Sequence, residues 1–321
     1  MKVLVLGGAG MVGQKLLHRL ADGADVPNMS ELLVHDVVAP KFMPNHVEAS
    51  NMVGDYSQQA ETLAAARPDL IFHLASIVSG EAETNFEKGW EINMRGTLRL
   101  LEALRHEYEA SGGAYRPKLI FASSIAVFGG PFPDKIGDEF LSAPLTSYGS
   151  QKAAIELLVS DYSRKGYIDG MSLRLPTIAV RPGKPNLAAS SFFSGIIREP
   201  LNGQEAILPV SDSVRHWFAS PRSAAGFFVH AANLDTSQLN DRRALNLPGF
   251  SCTVAEQIEA LRSLAGENVT ALIRPQRDEA IETIVSGWPR NFDPQRARAL
   301  GFKAEKSFEE IIQVYMDEEL A

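Results

Sequence analysis

The chain has one cysteine, Cys252, so it cannot close an internal disulfide, and a reducing compartment, the cytoplasm, is expected. It has no stretch approaching the roughly 18 apolar residues that span a bilayer, so no membrane partner is expected. Met1-Lys2 leads straight into a short apolar run and then glycines, which does not read as an export signal. Positive charge is in deficit. Lys and Arg total 31 against 39 Asp and Glu, and a net charge of −8 would be repelled by a phosphate backbone, so nucleic acid is not an expected partner. The 7 histidines are scattered, with no His-Glu-x-x-His and no paired cysteines, and no metal site is expected. What remains is a chain of 321 residues, 45% hydrophobic, long enough for a sizeable core in one large domain or about two.

Strand-like and helix-like segments alternate through the first half. Short apolar runs at Val3–Leu6, Leu32–His35, Leu70–Leu74, Leu119–Ala122 and Met171–Leu175 read as buried strands. Helical spacing is read over Met11–Ala21, Gln58–Ala66, Asn85–Tyr108 and Ser150–Lys165. Strands separated by helices imply right-handed crossovers and a parallel sheet covered on both faces. The expected class is therefore α/β, a doubly wound parallel Rossmann sheet with a smaller C-terminal lobe. After residue 176 prolines interrupt the pattern at 182, 185, 200, 209 and 221, and short helices are read at Ser190–Ile197, Val254–Ala265 and Ser307–Tyr315. The expected division is a dinucleotide-binding domain over 1–176, with segments returning from about 213–250, and a substrate lobe made mainly of 177–321.

Gly7-Gly8-Ala9-Gly10-Met11-Val12-Gly13 joins the first strand to the first helix. Gly7 permits a tight turn, Gly10 lets backbone amides approach a pyrophosphate, and Gly13 lets helix and strand pack closely. The positive end of the helix then faces the anion. A glycine-rich turn by itself is weak evidence, but here it follows a strand and opens a helix, the context that dinucleotide binding requires. Asp36 ends the second strand, where a carboxylate accepts ribose hydroxyls and repels a 2′-phosphate; with Val37, Val38 and Ala39 next and no arginine, NAD is preferred over NADP. Asp55 follows a third strand segment and reads equally as an adenine contact or as a turn residue.

Tyr148-Gly149-Ser150-Gln151-Lys152 opens a helix, and residues four apart share a face. A nearby ammonium favours the phenolate, which makes Tyr148 an acid or base near neutral pH, with Lys152 also free to bond the nicotinamide ribose. Ser123 and Ser124 stand at the end of the preceding strand, and ligands in such sheets bind outside the carboxyl ends of strands. A serine hydroxyl there can donate to a substrate oxygen.

This ordered set resembles the extended short-chain dehydrogenase/reductase superfamily, the NAD-dependent epimerase/dehydratase group. The similarity rests on Gly7 to Gly13, Asp36, His73-Leu74-Ala75-Ser76, Asn93, Ser123-Ser124, Tyr148 with Lys152, and Arg174-Leu175-Pro176, and extends to Phe292-Asp293, Leu300-Gly301-Phe302 and Ser307 to Glu310. It implies Tyr148 as acid/base, Lys152 assisting and Ser124 polarising the substrate. It also implies cofactor contacts from Leu74, Ala75, Ser76, Pro176, Thr177 and Ile178, with Asn93 supporting a structural water or the lysine.

The sequence departs from the nucleotide-sugar enzymes of that group. Pro176 to Gly183 replaces their usual stretch after the sixth strand, and no Thr-Asp-Glu motif stands near Ser124. Arg181 to Asn186, Ala188 to Phe193 and Val214 to Trp217 instead resemble the D-erythronate dehydrogenase subgroup, which implies oxidation of a four-carbon sugar acid at C2 with NAD. A carboxylate needs a cationic or multi-donor partner, for which Arg181, Arg215, Ser76 and Ser190 are candidates, while Asn186 is a candidate for reading a hydroxyl. Each arginine reads as readily as a surface or interdomain ion pair. His216 is expected to be packed beside Trp217, and Phe192, Phe193, Trp90 and Phe128 are expected in the core. Two other readings stand: a nucleotide-sugar epimerase with tightly bound NAD, and a non-catalytic NAD-sensing protein. A homodimer is expected, through a seam of the helices 85–108 and 150–165.

Overall fold

The computed structural model describes residues 1–183 and 189–320. Its centre is a parallel sheet of seven strands: β1 (Lys2–Leu6), β2 (Glu31–Asp36), β3 (Glu48–Val53), β4 (Leu70–His73), β5 (Lys118–Ser124), β6 (Asp169–Leu175) and β7 (Ala244–Asn246). The order is β7-β6-β5-β4-β1-β2-β3, so the direction of winding reverses between β1 and β4. Crevices at such a reversal, outside the carboxyl ends of the strands, are where ligands bind in doubly wound sheets.

Alternation along β1 fills both faces. Val3 and Val5 pack with Leu16, Leu17, Phe72 and Phe228 on one side, while Leu4 and Leu6 pack with Ile71, Phe121, Leu100, Leu104 and Ile155 on the other. The first side is covered by α1 (Met11–Arg19) and the helix Pro221–Asn233. The second is covered by α2 (Tyr56–Ala65), α3 (Thr97–Ala110) and α4 (Ser147–Arg164). Such fully covered strands read as continuous apolar runs, which is why β1, β4 and β5 stand out in the sequence. β3 does not, because Glu48-Ala49-Ser50-Asn51-Met52-Val53 is an edge strand with both faces largely exposed. β7 is only three residues long and lies beyond the proline-interrupted region.

The single helix expected over 85–108 runs without a break from Phe86 to Ala110 but changes its winding on the way. Phe86–Gly89 is followed by a π-helical stretch, Trp90–Gly96, and then by α3. π-turns often mark functional positions because they re-aim a side chain, and this one carries Asn93. The helix expected from Ser150 begins three residues earlier, at Ser147, capped by Thr146 Oγ1 accepting from Gly149 N at 3.1 Å.

A second apolar cluster lies in the C-terminal half, where Ala179, Val180, Phe193, Ile196, Phe218, Cys252, Leu261, Phe308 and Ile311 pack together. A small three-stranded sheet, Thr177–Ile178, Arg215–Ala219 and Phe250–Thr253, runs beside it. Phe193 and Phe128 are buried as expected, and Phe192 is half-buried against this cluster.

The close approach of α1 to β1 depends on Gly13, where an added Cβ would sit 2.2 Å from the Gly7 carbonyl oxygen. The obstacle is backbone on both sides and cannot swing away. Gly13→Ala is expected to destabilise the protein by about 1–3 kcal/mol, the usual cost of overpacking. Urea unfolding checks this, and an unchanged midpoint would show that the helix start yields freely.

Candidate active site

The glycine loop is built for close backbone approach. Gly7 has φ +85°, and a Cβ there would lie 2.6 Å from Ala75 N. The turn is pinned by Gly7 N donating to His35 O at 2.8 Å and Gly10 N donating to Gly7 O at 3.2 Å. Gly10 caps α1 without any side-chain hydrogen bond, and Met11 and Val12 form its half-buried first turn. This uncapped nine-residue helix presents its positive end at the sheet's carboxyl edge. Asp36, at the end of β2, braces the same loop: its carboxylate accepts from Ala9 N at 2.8 Å and Val37 N at 2.7 Å. Asp55 is the N-cap of α2, accepting from Ser57 N at 2.9 Å, which is the turn-type role.

On the β7 side of the sheet, β5 and β6 bring Ser123 beside Arg174 and Ser124 beside Leu175. Ser124 Oγ accepts from Ala126 N at 3.1 Å, which leaves its own proton to donate. α4 crosses these strand ends with Gly149, Gln151, Lys152, Ile155, Glu156 and Val159 turned inward. Gly149 is what lets Tyr148 approach, since a Cβ at 149 would meet Ala126 O at 2.1 Å.

Lys152 is 2% exposed. Its Nζ donates to Ala122 O at 2.8 Å and stands 4.6 Å from the centre of the Phe121 ring and 5.5 Å from that of Tyr148. Burial pushes its pKa down to about 7, with Glu156 acting in the opposite direction. Burial pushes the Tyr148 phenol up to about 12, partly offset by Arg181 and by a hydrogen bond with Ser76. Helical spacing puts the two residues on one face, with the lysine nitrogen reaching under the end of β5, and Arg181 is a second cation acting on the phenol.

Arg181 follows the strand Thr177–Ile178, which continues from Pro176. Its Nε donates to Ile178 O and its Nη2 to Ser190 Oγ, both at 2.9 Å, while its backbone N donates to Ser194 Oγ at 3.0 Å. Arg198 is buried, and its Nη1 donates to Arg181 O at 2.8 Å. Arg181 and Ser190 are therefore brought together, near Tyr148 and Ser76. Arg215 is not among them. It alternates with His216 along one strand, so it emerges on the opposite face, where it donates to Ser251 O and pairs with Glu256, both at 3.1 Å. Asn186 lies outside the described residues.

Asn93 bonds within the loop after β4 and to α4. Its carboxamide accepts from Ile77 N at 2.9 Å and from Ser76 Oγ at 3.0 Å, and donates to Gln151 Oε1 at 2.8 Å. It ties the loop after β4, which contains Leu74, Ala75 and Ser76, to α4 rather than to Lys152. Gln151 was missed by the sequence reading; its only signal was its place beside Lys152. His216 is the packed residue expected, stacked on Phe193 with ring centres 5.2 Å apart and bonded through Nε2 to Thr177 Oγ1 at 2.6 Å. Among the described residues no group of three His, Cys, Asp or Glu is placed to hold a metal, and no helix is long and apolar enough to cross a membrane.

Residues 3–237 match the NAD dependent epimerase/dehydratase family. The chain belongs to that family, and its cofactor is NAD. It is 43% identical to a D-erythronate dehydrogenase of Cupriavidus necator, over 99% of this chain and 98% of that one. It is 42% identical to a D-erythronate dehydrogenase of Haemophilus influenzae, over 99% of each. Among solved structures, a protein described as a nucleoside-diphosphate-sugar epimerase from Agrobacterium tumefaciens superposes with a TM-score of 0.96 at 53% identity, over 100% of this chain and 94% of that one. The cofactor of the family fits the glycine loop, since Gly7 and Gly13 let the turn fold tightly against the chain after β4 and under α1, and the start of α1 carries no cap of its own.

Two buried histidines of this family member make its stability depend on pH. Burial holds His73 and His216 at about 3, far below the ordinary 6.5. Their unfolded forms take up protons that the folded forms refuse, so stability is present above 6.5 and is lost as pH falls from there toward 3. The expected slope is about 1.4 kcal/mol per pH unit for each histidine. Urea unfolding at pH 7 and pH 5 measures it, and His216→Gln should make the slope shallower by about one proton's worth. An identical slope in the variant would remove His216 from this account.

Proposed function

We propose that this protein oxidises the C2 hydroxyl of a small sugar acid, D-erythronate, to the 2-oxo acid with NAD. The observation that carries this reading is the convergence of Ser76, Tyr148, Arg181 and Ser190: a half-buried, multiply braced guanidinium beside the phenol suits a substrate whose carboxylate is next to the reacting hydroxyl. Two relatives, at 43% and 42% identity over 99% of this chain, carry the same activity in their names.

In this reading the amides from Gly7, Gly10, Met11, Val12 and Gly13 hold the pyrophosphate. Asp36 takes the adenosine ribose, Asp55 flanks the adenine side, and Leu74, Ala75, Ser76, Asn93, Pro176, Thr177 and Ile178 line the nicotinamide half. Arg181 with Ser190 takes the substrate carboxylate, Asn186 a hydroxyl, and Arg215 is left to its ion pair. Ser124 donates to the C2 oxygen, and Tyr148, as phenolate, accepts the C2 hydroxyl proton. Bound NAD supplies the hydride acceptor. Lys152 bonds the nicotinamide ribose, and the pocket walls fix orientation. Residues 1–176 are then the cofactor domain, with 213–250 partly returning to it, and 177–321 mainly the substrate lobe.

A second reading, epimerisation of a nucleotide sugar with NAD retained, is supported by the description of the Agrobacterium tumefaciens structure. Against it stands Arg181, which offers a carboxylate a partner where a neutral sugar ring needs none. Net NADH formation with D-erythronate and no change in UDP-sugars is expected; interconversion of UDP-sugars with no NADH from D-erythronate overturns the proposal. Tyr148→Phe should lower kcat by about 10²–10⁴-fold, the usual worth of a general base, with NAD binding kept. Full turnover by that variant would mean a different base, or a protein that senses NAD without acting through Tyr148. Arg181→Gln should raise KM for the acid and lower kcat, because it removes both the carboxylate partner and a cation acting on the phenol.

We also propose a cytoplasmic homodimer joined by the helical seam that includes α4, where Leu157 is 73% exposed in mid-helix. Sedimentation should give twice the 35.0 kDa chain mass, and a species of 35.0 kDa alone would reject the dimer.

A further inference from the structure

Lys152 is followed one helical turn later by Glu156, also inward-facing and 4% exposed. The Glu156 carboxylate is fully engaged. Arg174 meets it through Nε, at 3.0 and 3.1 Å from its two oxygens, and through Nη2 at 2.7 Å, while Ser123 Oγ donates to it at 2.5 Å. Arg174 is itself braced, with Nη1 donating to Asn246 Oδ1 and Nη2 to Ser142 Oγ, both at 3.2 Å, and its guanidinium 4.8 Å from the centre of the Phe128 ring. The cluster thus spans the ends of β5, β6 and β7, α4, and the loop that holds Ser142. Buried ion pairs seldom add stability over apolar residues of similar size, so the retention of this one directly behind the Tyr148–Lys152 pair calls for another reason.

We infer that Glu156 is the counter-charge of Lys152, a positioning residue that holds the buried ammonium in its charged form, with Arg174 setting how much of that negative charge Lys152 feels. The reading rests on the role given above to Lys152. The groups facing Lys152 are few. On α4 there are Tyr148 and Glu156, on β4 the uncharged His73, and on β5 the Phe121 ring and the Ala122 carbonyl. Of these, Glu156 alone carries negative charge. It opposes the burial that favours the neutral amine, and Arg174, on β6, opposes Glu156. The two partners therefore act on Lys152 with opposite signs, which a purely structural clamp would not do: loosening a clamp from either side has the same effect.

The test is a titration of the full-length protein labelled with 13Cε-lysine, with the Lys152 signal assigned by its absence from Lys152→Met. Glu156→Gln keeps the shape and one acceptor, and should move the Lys152 midpoint down by about one pH unit. Arg174→Met leaves Glu156 uncompensated and should move it up. If Glu156→Gln does not fold, Arg174→Met gives the reading alone. The inflection nearest neutrality in the pH profile of kcat/KM should follow the same directions. Superimposable titrations, or both variants shifting the same way, would overturn the inference. The outcome is separable from the function proposed above: loss of turnover in Tyr148→Phe and Lys152→Met with no midpoint shift sinks only the role of Glu156, whereas full turnover in those two sinks the reading it rests on.

Discussion

The arrangement turns on a positive charge held almost wholly out of water at the carboxyl end of a parallel sheet. A lysine ammonium buried without partners would lose its proton, because desolvation favours the neutral form. Lys152 has a carbonyl from β5, the face of Phe121 and a carboxylate one turn away, and each comes from a different feature of the fold. The parallel sheet supplies strand-end carbonyls that have no further strand to pair with. The helix supplies the spacing that puts Tyr148, Lys152 and Glu156 on one inward face. Gly149, packed on Ala126 O, lets that face come close enough for the lysine to reach.

Much of this was legible in the sequence. The glycine loop and the strands β1, β4 and β5 declare themselves, because strands covered on both faces are apolar without interruption and glycine has few substitutes where backbones touch. The pairing of Tyr148 with Lys152 follows from helical periodicity alone. What spacing does not carry is the direction of a long side chain. Lysine has four rotatable bonds, and its charge ends several ångströms from its Cβ; nor does spacing carry the second cation acting on the Tyr148 phenol, Arg181, which is distant in sequence and delivered by another core. Arg215 shows the converse. It is as basic as Arg181 and sits in a stretch that resembles the same subgroup, but strand alternation beside His216 sends it to Glu256. The setting of Asn93 was not legible for a third reason, since a π-turn re-registers the helix and no propensity rule marks where it falls.

The two cores have unequal parts in this chemistry. The sheet and its helices hold the glycine cradle, Ser124, Tyr148 and Lys152 rigidly, by buried apolar packing and by backbone contacts too tight for a side chain. Arg181 is held by the other core. Its neighbours Ala179 and Val180 are buried there, and its bonds go to Ile178, Ser190, Ser194 and Arg198. The phenol therefore belongs to one core and a cation acting on it to the other. A shift of one relative to the other changes the acidity of Tyr148 without moving Tyr148 itself, because Coulomb interaction falls with distance and steepens where water is excluded.

The phenol rests high, at about 12, because burial outweighs the opposing pull of Arg181 from the other core. A base that is easily deprotonated in the open site would sit as a buried anion beside Arg181, and the two would satisfy each other. The guanidinium would then be occupied by the phenolate and less able to receive a carboxylate. With the phenol neutral, Arg181 has only hydroxyl and carbonyl partners among its described contacts, and its charge remains for an incoming acid. In the proposed function, proton removal is then coupled to substrate arrival, with the substrate hydroxyl and Ser124 sharing the surroundings of the phenolic oxygen. In the proposed function, a phenol held far from neutrality by burial acts as a base only when its substrate completes the electrostatics around it.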